Sequence, residues 1–235
     1  MSNASGIAAI LGIDASRAAC SAAVLRDGRL LAAEGAAMAR GQAEVLPPMI
    51  ERVLATAGIA HRDIGAIAVP VGPGSFTGIR IALAAARGLA LVTQARLIGI
   101  DGFAAALEAA NATRPALVAI ETGRGSYFVR RFGGNPADDT AVAILEAAAI
   151  APLAPRDAFH LVAPAELDAI FADRADMRPM TANVADLAHA AARIALRILA
   201  SDGRGSDGAA LPPRPLYVAP PAVTMAAVTM AAQDR

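Results

Sequence analysis

The sequence predicts an α/β fold: a mixed sheet covered by helices, followed by a second, smaller unit. Three observations predict it. Residues 7–36 hold three apolar runs of strand character, two of them joined by Asp27-Gly28, a strong hairpin signal. Residues 43–110 then alternate between helical and strand-like patterns, the mark of parallel strands crossed over by helices. Asn111-Ala112-Thr113-Arg114-Pro115 breaks the pattern, and strand and helix signals begin again after it.

Apolar residues 7–14 read as a central strand, with 20–26 and 29–36 as a hairpin beside it. Val45, Met49, Ile50, Val53 and Leu54 recur at helical spacing within 43–57. Pro47 and Pro48 either kink this helix or mark its start, and Gly58 ends it. Residues 66–69 read as a buried strand, 81–92 as a helix without proline, 97–100 as a short strand and 103–110 as a helix. Three antiparallel strands followed by alternating elements make a mixed sheet. In the second half, 116–120 and 127–132 are strands across a loop holding Gly123 and Gly125, and 133–136 is a turn. Residues 165–172 and 184–200 read as helices, the latter opened by Asn183 as a cap. Residues 201–215 form a Gly- and Pro-rich linker, and the tail repeats Ala-Val-Thr-Met at 222–225 and 227–230.

A hydrophobic fraction of 56% is ample for a core and excludes a disordered chain. The most apolar stretch, 79–92, carries Arg80 and Arg87 and is too short to span a bilayer. The start lacks the basic, cleavable pattern of a secretion signal, so a cytoplasmic protein without a membrane segment is expected. Cys20 is the one cysteine, which excludes an internal disulfide, and its apolar strand suggests a buried thiol. The formal net charge is zero, so the whole chain exerts no electrostatic pull on nucleic acid. All 21 of its Lys+Arg residues are arginine. Without lysine there is no phosphate-loop lysine and no Schiff-base chemistry.

The segment Gly72-Pro73-Gly74-Ser75-Phe76-Thr77-Gly78-Ile79-Arg80 joins a buried strand to a helix. Gly72 and Gly74 permit backbone angles closed to other residues, and Ser75 or Thr77 can cap the helix. Such a helix start either holds an anion on its free N–H groups or is a capped turn with no ligand. From 77 to 92 the helix is apolar nearly all round, so it must be buried on more than one side. Gly78, Ala82 and Ala85, with Leu89, form a stripe of mostly small residues that lets another helix approach closely. That helix is either the one at 45–54 of the same chain or one from a partner.

The nine-residue segment resembles the signature of the bacterial TsaB family, also called YeaZ. Leu11-Gly12-Ile13-Asp14-Ala15-Ser16 is similar to that family's first strand and acidic turn. Cys20–Leu25 with Asp27-Gly28, Glu44-Val45-Leu46-Pro47 and Gly88-Leu89-Ala90-Leu91 extend the resemblance, which is dense over 7–110 and thin afterwards. The resemblance implies a two-lobed actin-like ATPase (ribonuclease H-like) fold with mixed sheets flanked by helices and a reduced second lobe. It places the first lobe at 1–110, the second at 111–215 and a tail at 216–235. It implies a non-catalytic, pseudo-enzyme partner of TsaD, which transfers threonylcarbamoyl to the adenosine beside the anticodon of ANN-reading tRNAs. TsaE, an ATPase, would join the complex, TsaC would make the adenylate, and tRNA would be met indirectly. The isolated chain would form a homodimer or a monomer. The family's partner-binding helices map onto Met49, Val53, Gly78, Arg80, Ala82, Ala85 and Leu89. Asp14, Gly72, Gly74 and Ser75 would be a vestigial cofactor site, with no nucleotide bound independently and ATP or ADP held, if anywhere, at the TsaD junction.

Departures from the pattern point the same way. Ala15 stands where the superfamily has glycine after its acidic residue, so Asp14 serves either a phosphate or its own hairpin turn. Leu161-Val162-Ala163-Pro164 replaces a glycine-rich turn that would admit adenosine, and Gln42 replaces a histidine. His61, His160 and His189 are far apart and form no paired metal motif like that of TsaD. Ser75 is not in a Gly-x-Ser-x-Gly elbow. No catalytic and no metal-binding residue is expected. An active kinase or ATPase of the actin-like superfamily is the first alternative, and a glycoprotease-like peptidase the second.

Overall fold

The computed structural model describes residues 8–183, 186–201, 210–216 and 218. β1 (Ala9–Arg17), β2 (Ala19–Arg26) and β3 (Arg29–Ala37) form an antiparallel meander. The turn between β2 and β3 is Asp27-Gly28, with φ of 52° and 76°. Two successive left-handed residues give the turn whose twist matches the flanking strands. α1 (Gln42–Ala57) begins ahead of Pro47 and Pro48, which lie inside it. Both prolines are exposed, and the carbonyls they leave unpaired, four residues back, belong to exposed Ala43 and Glu44 near the helix start. Gly58, at φ 65°, ends the helix.

β4 (Ile64–Pro70), α2 (Phe76–Thr93), β5 (Arg96–Ile100) and α3 (Gly102–Ala109) follow, with β4 parallel to both β1 and β5. A second sheet is built from β6 (Ala116–Glu121), β7 (Ser126–Phe132), β8 (Ala143–Glu146), β9 (Phe159–Val162) and β10 (Met177–Met180). Its strand order is β10-β9-β6-β7-β8. The fold is thus two mixed sheets flanked by helices.

The last elements differ from the sequence expectation. α4 (Leu187–Ala200) and β11 (Ala210–Leu211) fall within 111–215, yet both belong to the first sheet, whose order is β11-β5-β4-β1-β2-β3. The physical reason is a bare apolar face. Leu11, Ile13 and Ala15 of β1 pack under α1 and α2, but Ile10, Leu25, Ala66, Ala68, Ile98 and Ile100 point the other way. Leu187, Ala191, Ile194, Ala195 and Ile198 of α4 cover them. The helix lies so close that the Ala188 carbonyl fills the place of a side chain on Gly12. Asp186, not Asn183, occupies the N-cap position of α4.

α3 is shared between the sheets. Its Ala105 packs with α4, while Phe103, Ala106 and Ala110 meet Ala116, Val118, Ile120 and Phe132. The other face of the second sheet carries only short 3-10 segments among the described residues. Ile150, Leu167 and Phe171 from these segments cover Leu117, Ala119, Val129 and Leu161. The helix expected over 165–172 is a 3-10 segment, Ala165–Phe171. The expected tail at 216–235 lies, apart from Leu216 and Val218, outside the described residues.

Candidate functional site

The glycine-rich turn is fitted to the end of β1 residue by residue. Val71 donates to Ile100 (2.9 Å) and Gly102 to the Gly72 carbonyl (2.7 Å), so the turn is tied to the β5–α3 junction. Gly72 has φ 125°, and a side chain there would meet the Leu216 carbonyl at 2.8 Å. A Cβ on Gly74 would run into the Ser16 carbonyl, and one on Gly78 into the Ala15 carbonyl. The Ser75 N–H donates to the Ser16 carbonyl at 2.7 Å. Its hydroxyl accepts from the Gly78 N–H at 3.2 Å, so Ser75 is the N-cap of α2. The three glycines are therefore filled by the protein's own backbone.

Asp14 is fully buried on β1. Its Oδ1 accepts from the Ser16 N–H at 3.1 Å, and its Oδ2 is buried with no hydrogen-bond partner. Burial pushes its carboxyl above the ordinary value, opposed by the Ser16 hydrogen bonds and the Arg17 charge. The β1–β2 register shifts between Asp14 and Arg17, so Ala15 and Ser16 bulge out of the ladder.

Sequence reasoning missed a second buried carboxylate. Asp101 caps α3, its Oδ1 accepting from Phe103 (2.7 Å) and Ala104 (3.0 Å). Its Oδ2 accepts from Arg130 of β7 at 3.3 Å. Arg130 also lies 3.6 Å from Asp139, which holds Arg114 at 2.5 Å, and both arginines stand over the Phe132 ring. This clasp joins α3 to the second sheet. Burial raises the Asp101 carboxyl, against its hydrogen bonds and the Arg130 charge. An Asp directly before the apolar helix pattern at 103–110 was the signal that could have found it.

The helix face expected to meet a partner lies largely against the chain's own first core. Met49, Val53, Gly78 and Ala82 are buried in the first core, and Ala85 and Leu89 are half-buried against it. The small residues serve the protein's own packing, since they let α2 lie on the carbonyls of the β1 bulge. Of the seven residues only Arg80 is exposed, and it stacks on the Phe76 ring at 3.7 Å. The outward side of α2 is formed by Thr77, Arg80, Ala84, Arg87, Gly88, Leu91 and Val92, with Arg87 donating to the Pro213 carbonyl at 2.7 Å. Leu91 is 76% and Val92 80% exposed. Helix α2 has 18 residues, longer than expected, and by length and composition alone it could cross a membrane. In the fold it runs along β1 and β4 with Ile79, Leu83 and Ala86 buried.

The histidines stay apart. His61 pairs with Glu51 (3.0 Å), and His160 bonds Thr113 of the β6 approach. Among the described residues no three His, Cys, Asp or Glu side chains stand together as a metal site.

The model of the family described as TsaD, tRNA N6-adenosine threonylcarbamoyltransferase, matches residues 36–161. The tRNA threonylcarbamoyladenosine biosynthesis protein TsaB of Escherichia coli (strain K12) is 35% identical over 122 residues, 51% of this chain and 52% of that protein. The chain spans about half the length of the curated relatives it matches. The structure of YeaZ from Pseudomonas aeruginosa superposes with a TM-score of 0.69 at 27% identity, covering 90% of this chain and 100% of that one. The activator of 2-hydroxyisocaproyl-CoA dehydratase from Clostridium difficile, with bound ADPNP, superposes at 0.54 and 10% identity over 83% of this chain and 96% of that one, a likeness of fold alone.

Proposed function

We propose a non-catalytic, partner-holding role for this chain, which belongs to the tRNA N6-adenosine threonylcarbamoyltransferase (TsaD) family and, within it, to the TsaB (YeaZ) group. The partner is a TsaD-type subunit, and the shared product is the threonylcarbamoyl group on the adenosine next to the anticodon. One observation carries this reading: the signature helix is built into the core on one side and on the other leaves Ala84, Gly88, Leu91 and Val92 exposed, with Arg87 among them reaching to the Pro213 carbonyl. An outward apolar strip of small residues ending in two large ones suits a helix from another subunit. The same strip serves a second copy of the chain when the partner is missing. TsaE would join as a further component, tRNA would be bound by the assembly, and the site of action would be the cytoplasm.

A nucleotide, which the fold family implies, does not fit Asp14, Gly72, Gly74 and Ser75 as they stand. Asp14 is buried, and the space beside Gly72 and Gly74 is taken by the Leu216 and Ser16 carbonyls. This favours the partner role over an active kinase or ATPase. Any ATP or ADP would be held at the junction with the partner. Mass spectrometry of nucleosides from cells depleted of the protein tests the reading. Threonylcarbamoyladenosine in bulk tRNA should fall, and an unchanged level would overturn it.

A further inference from the structure

We propose that Asp14 is a positioning residue for helix α2, acting through a relay of hydrogen bonds that starts at its Oδ1; this rests on the reading of α2 as the partner face. The relay has three links. Asp14 Oδ1 accepts from the Ser16 N–H (3.1 Å), the Ser16 carbonyl accepts from the Ser75 N–H (2.7 Å), and the Ser75 hydroxyl accepts from the Gly78 N–H (3.2 Å). The bulge makes the relay possible. Where the β1–β2 register shifts, the carbonyls of Ala15 and Ser16 leave the ladder and become the floor on which Gly78 and Gly74 rest. A bulge of this kind needs an internal tie, and an aspartate that takes the N–H two residues on supplies it. Since Oδ2 has no partner in the structure, the relay uses one oxygen of the two. The helix it anchors is thereby fixed in height and tilt at the end where Thr77 and Arg80 face outward.

The test uses the full chain with Asp14→Ala, Asp14→Asn and Ser75→Ala. Amide hydrogen exchange is read at residues 16 and 75–79, and affinity for a purified TsaD-type partner is read by calorimetry. Asp14→Ala should speed exchange at Ser16 and Ser75 and weaken binding, each by about tenfold, the effect of one lost hydrogen bond at a buried group. Asp14→Asn keeps the Oδ1 acceptor and should restore both to within about threefold, which a generic loss of packing would not do. Ser75→Ala cuts only the last link, leaves β1 intact and should speed exchange at Gly78. It keeps the proposal testable should Asp14→Ala fail to fold. Wild-type protection at Ser75 in Asp14→Ala, or at Gly78 in Ser75→Ala, overturns the relay. So does an Asp14→Asn protein that keeps its α2 protection but loses binding, for then Asp14 would touch a ligand or the partner. Exchange is measured without the partner, so a wild-type chain that fails to bind overturns the partner reading while exchange still decides the relay.

Discussion

The two sides of α2 are made of the same kinds of residue and do opposite jobs. The inner side is Gly78, Ala82 and Ala86, buried; the outer side is Ala84 and Gly88, exposed between Arg80 and Arg87, with Leu91 and Val92 beyond them. Small residues on the inner side let a helix lie directly on the β1 bulge, where Gly78 has the Ala15 carbonyl in the place of a side chain. Small residues on the outer side meet nothing within the described chain that explains them; a Cβ on Gly88 would stand in open space. Residue size alone therefore does not tell a helix's internal seam from its docking strip. Position relative to the sheet does.

The sharpest way to break this comparison is a charge on the inner side. Ala82→Glu buries an unpaired carboxylate among Leu11, Ile13 and Val69 and should cost about 4 kcal/mol or more, seen as a collapse of the denaturant midpoint. A folded Ala82→Glu protein would put the wrong side of α2 in the core. The matching change outside is Ala84→Arg with Leu91→Arg. It should leave stability within about 0.5 kcal/mol yet weaken binding to a TsaD-type partner by about 2 kcal/mol, roughly thirtyfold. Calorimetric titration beside thermal melts separates the two variables. Undiminished binding would move the docking strip elsewhere.

A smaller effect tests whether the rest of the first sheet is equally rigid. Asp101→Ala removes the α3 cap and one of the two carboxylates beside Arg130, and should cost about 1–3 kcal/mol. Because the clasp joins α3 to the second sheet and none of its side chains lies on α2, partner affinity should hold; a parallel loss would mean that the lobes act as one docking unit. The smallest effect is a pH dependence at the foot of α2. Folding holds the Asp14 carboxyl above its ordinary value of 3.8, so the protonated form is favoured in the native state. That contribution is complete below pH 3.8 and fades as pH rises through the raised folded value. Asp14→Asn lacks it, so its stability relative to wild type should improve from about pH 4 upward and then level off. A difference between the two proteins that does not change with pH would give Asp14 an ordinary titration.

Much of the first sheet was legible because its signals are local. The Asp27-Gly28 turn needs two left-handed residues and names itself, as do the Gly58 helix end and the Ser75 cap. What was illegible depends on distance. Nothing within 187–200 says which sheet its apolar side will cover; the bare Ile10, Ala66 and Ile98 face decides that. β8 and β10 are four-residue edge strands, too short to show a period, and Pro179 obscures the second. At the site, the glycines and Ser75 stood out in sequence, but the atoms that fill the space beside them come from Ala15, Ser16 and Leu216, far along the chain. For the same reason the stripe through Gly78, Ala82, Ala85 and Leu89 reads in sequence as a seam for either an internal helix or a partner's, and in the fold it lies against the first core.

The return of the chain to its first sheet has a consequence in time. During synthesis β1 to β5 emerge early, but the helix that covers one of their faces begins at Leu187, roughly ninety residues after Ile100. At about 5–20 residues per second, the Ile10–Ile98 face waits on the order of 10 s before its cover exists. Until then it is an open apolar surface on a growing chain, with the unpaired edge of β5 beside it, since β11 arrives later still. Nascent chains of this protein should therefore be clients of ribosome-associated chaperones over that interval, and release from them should coincide with the appearance of α4.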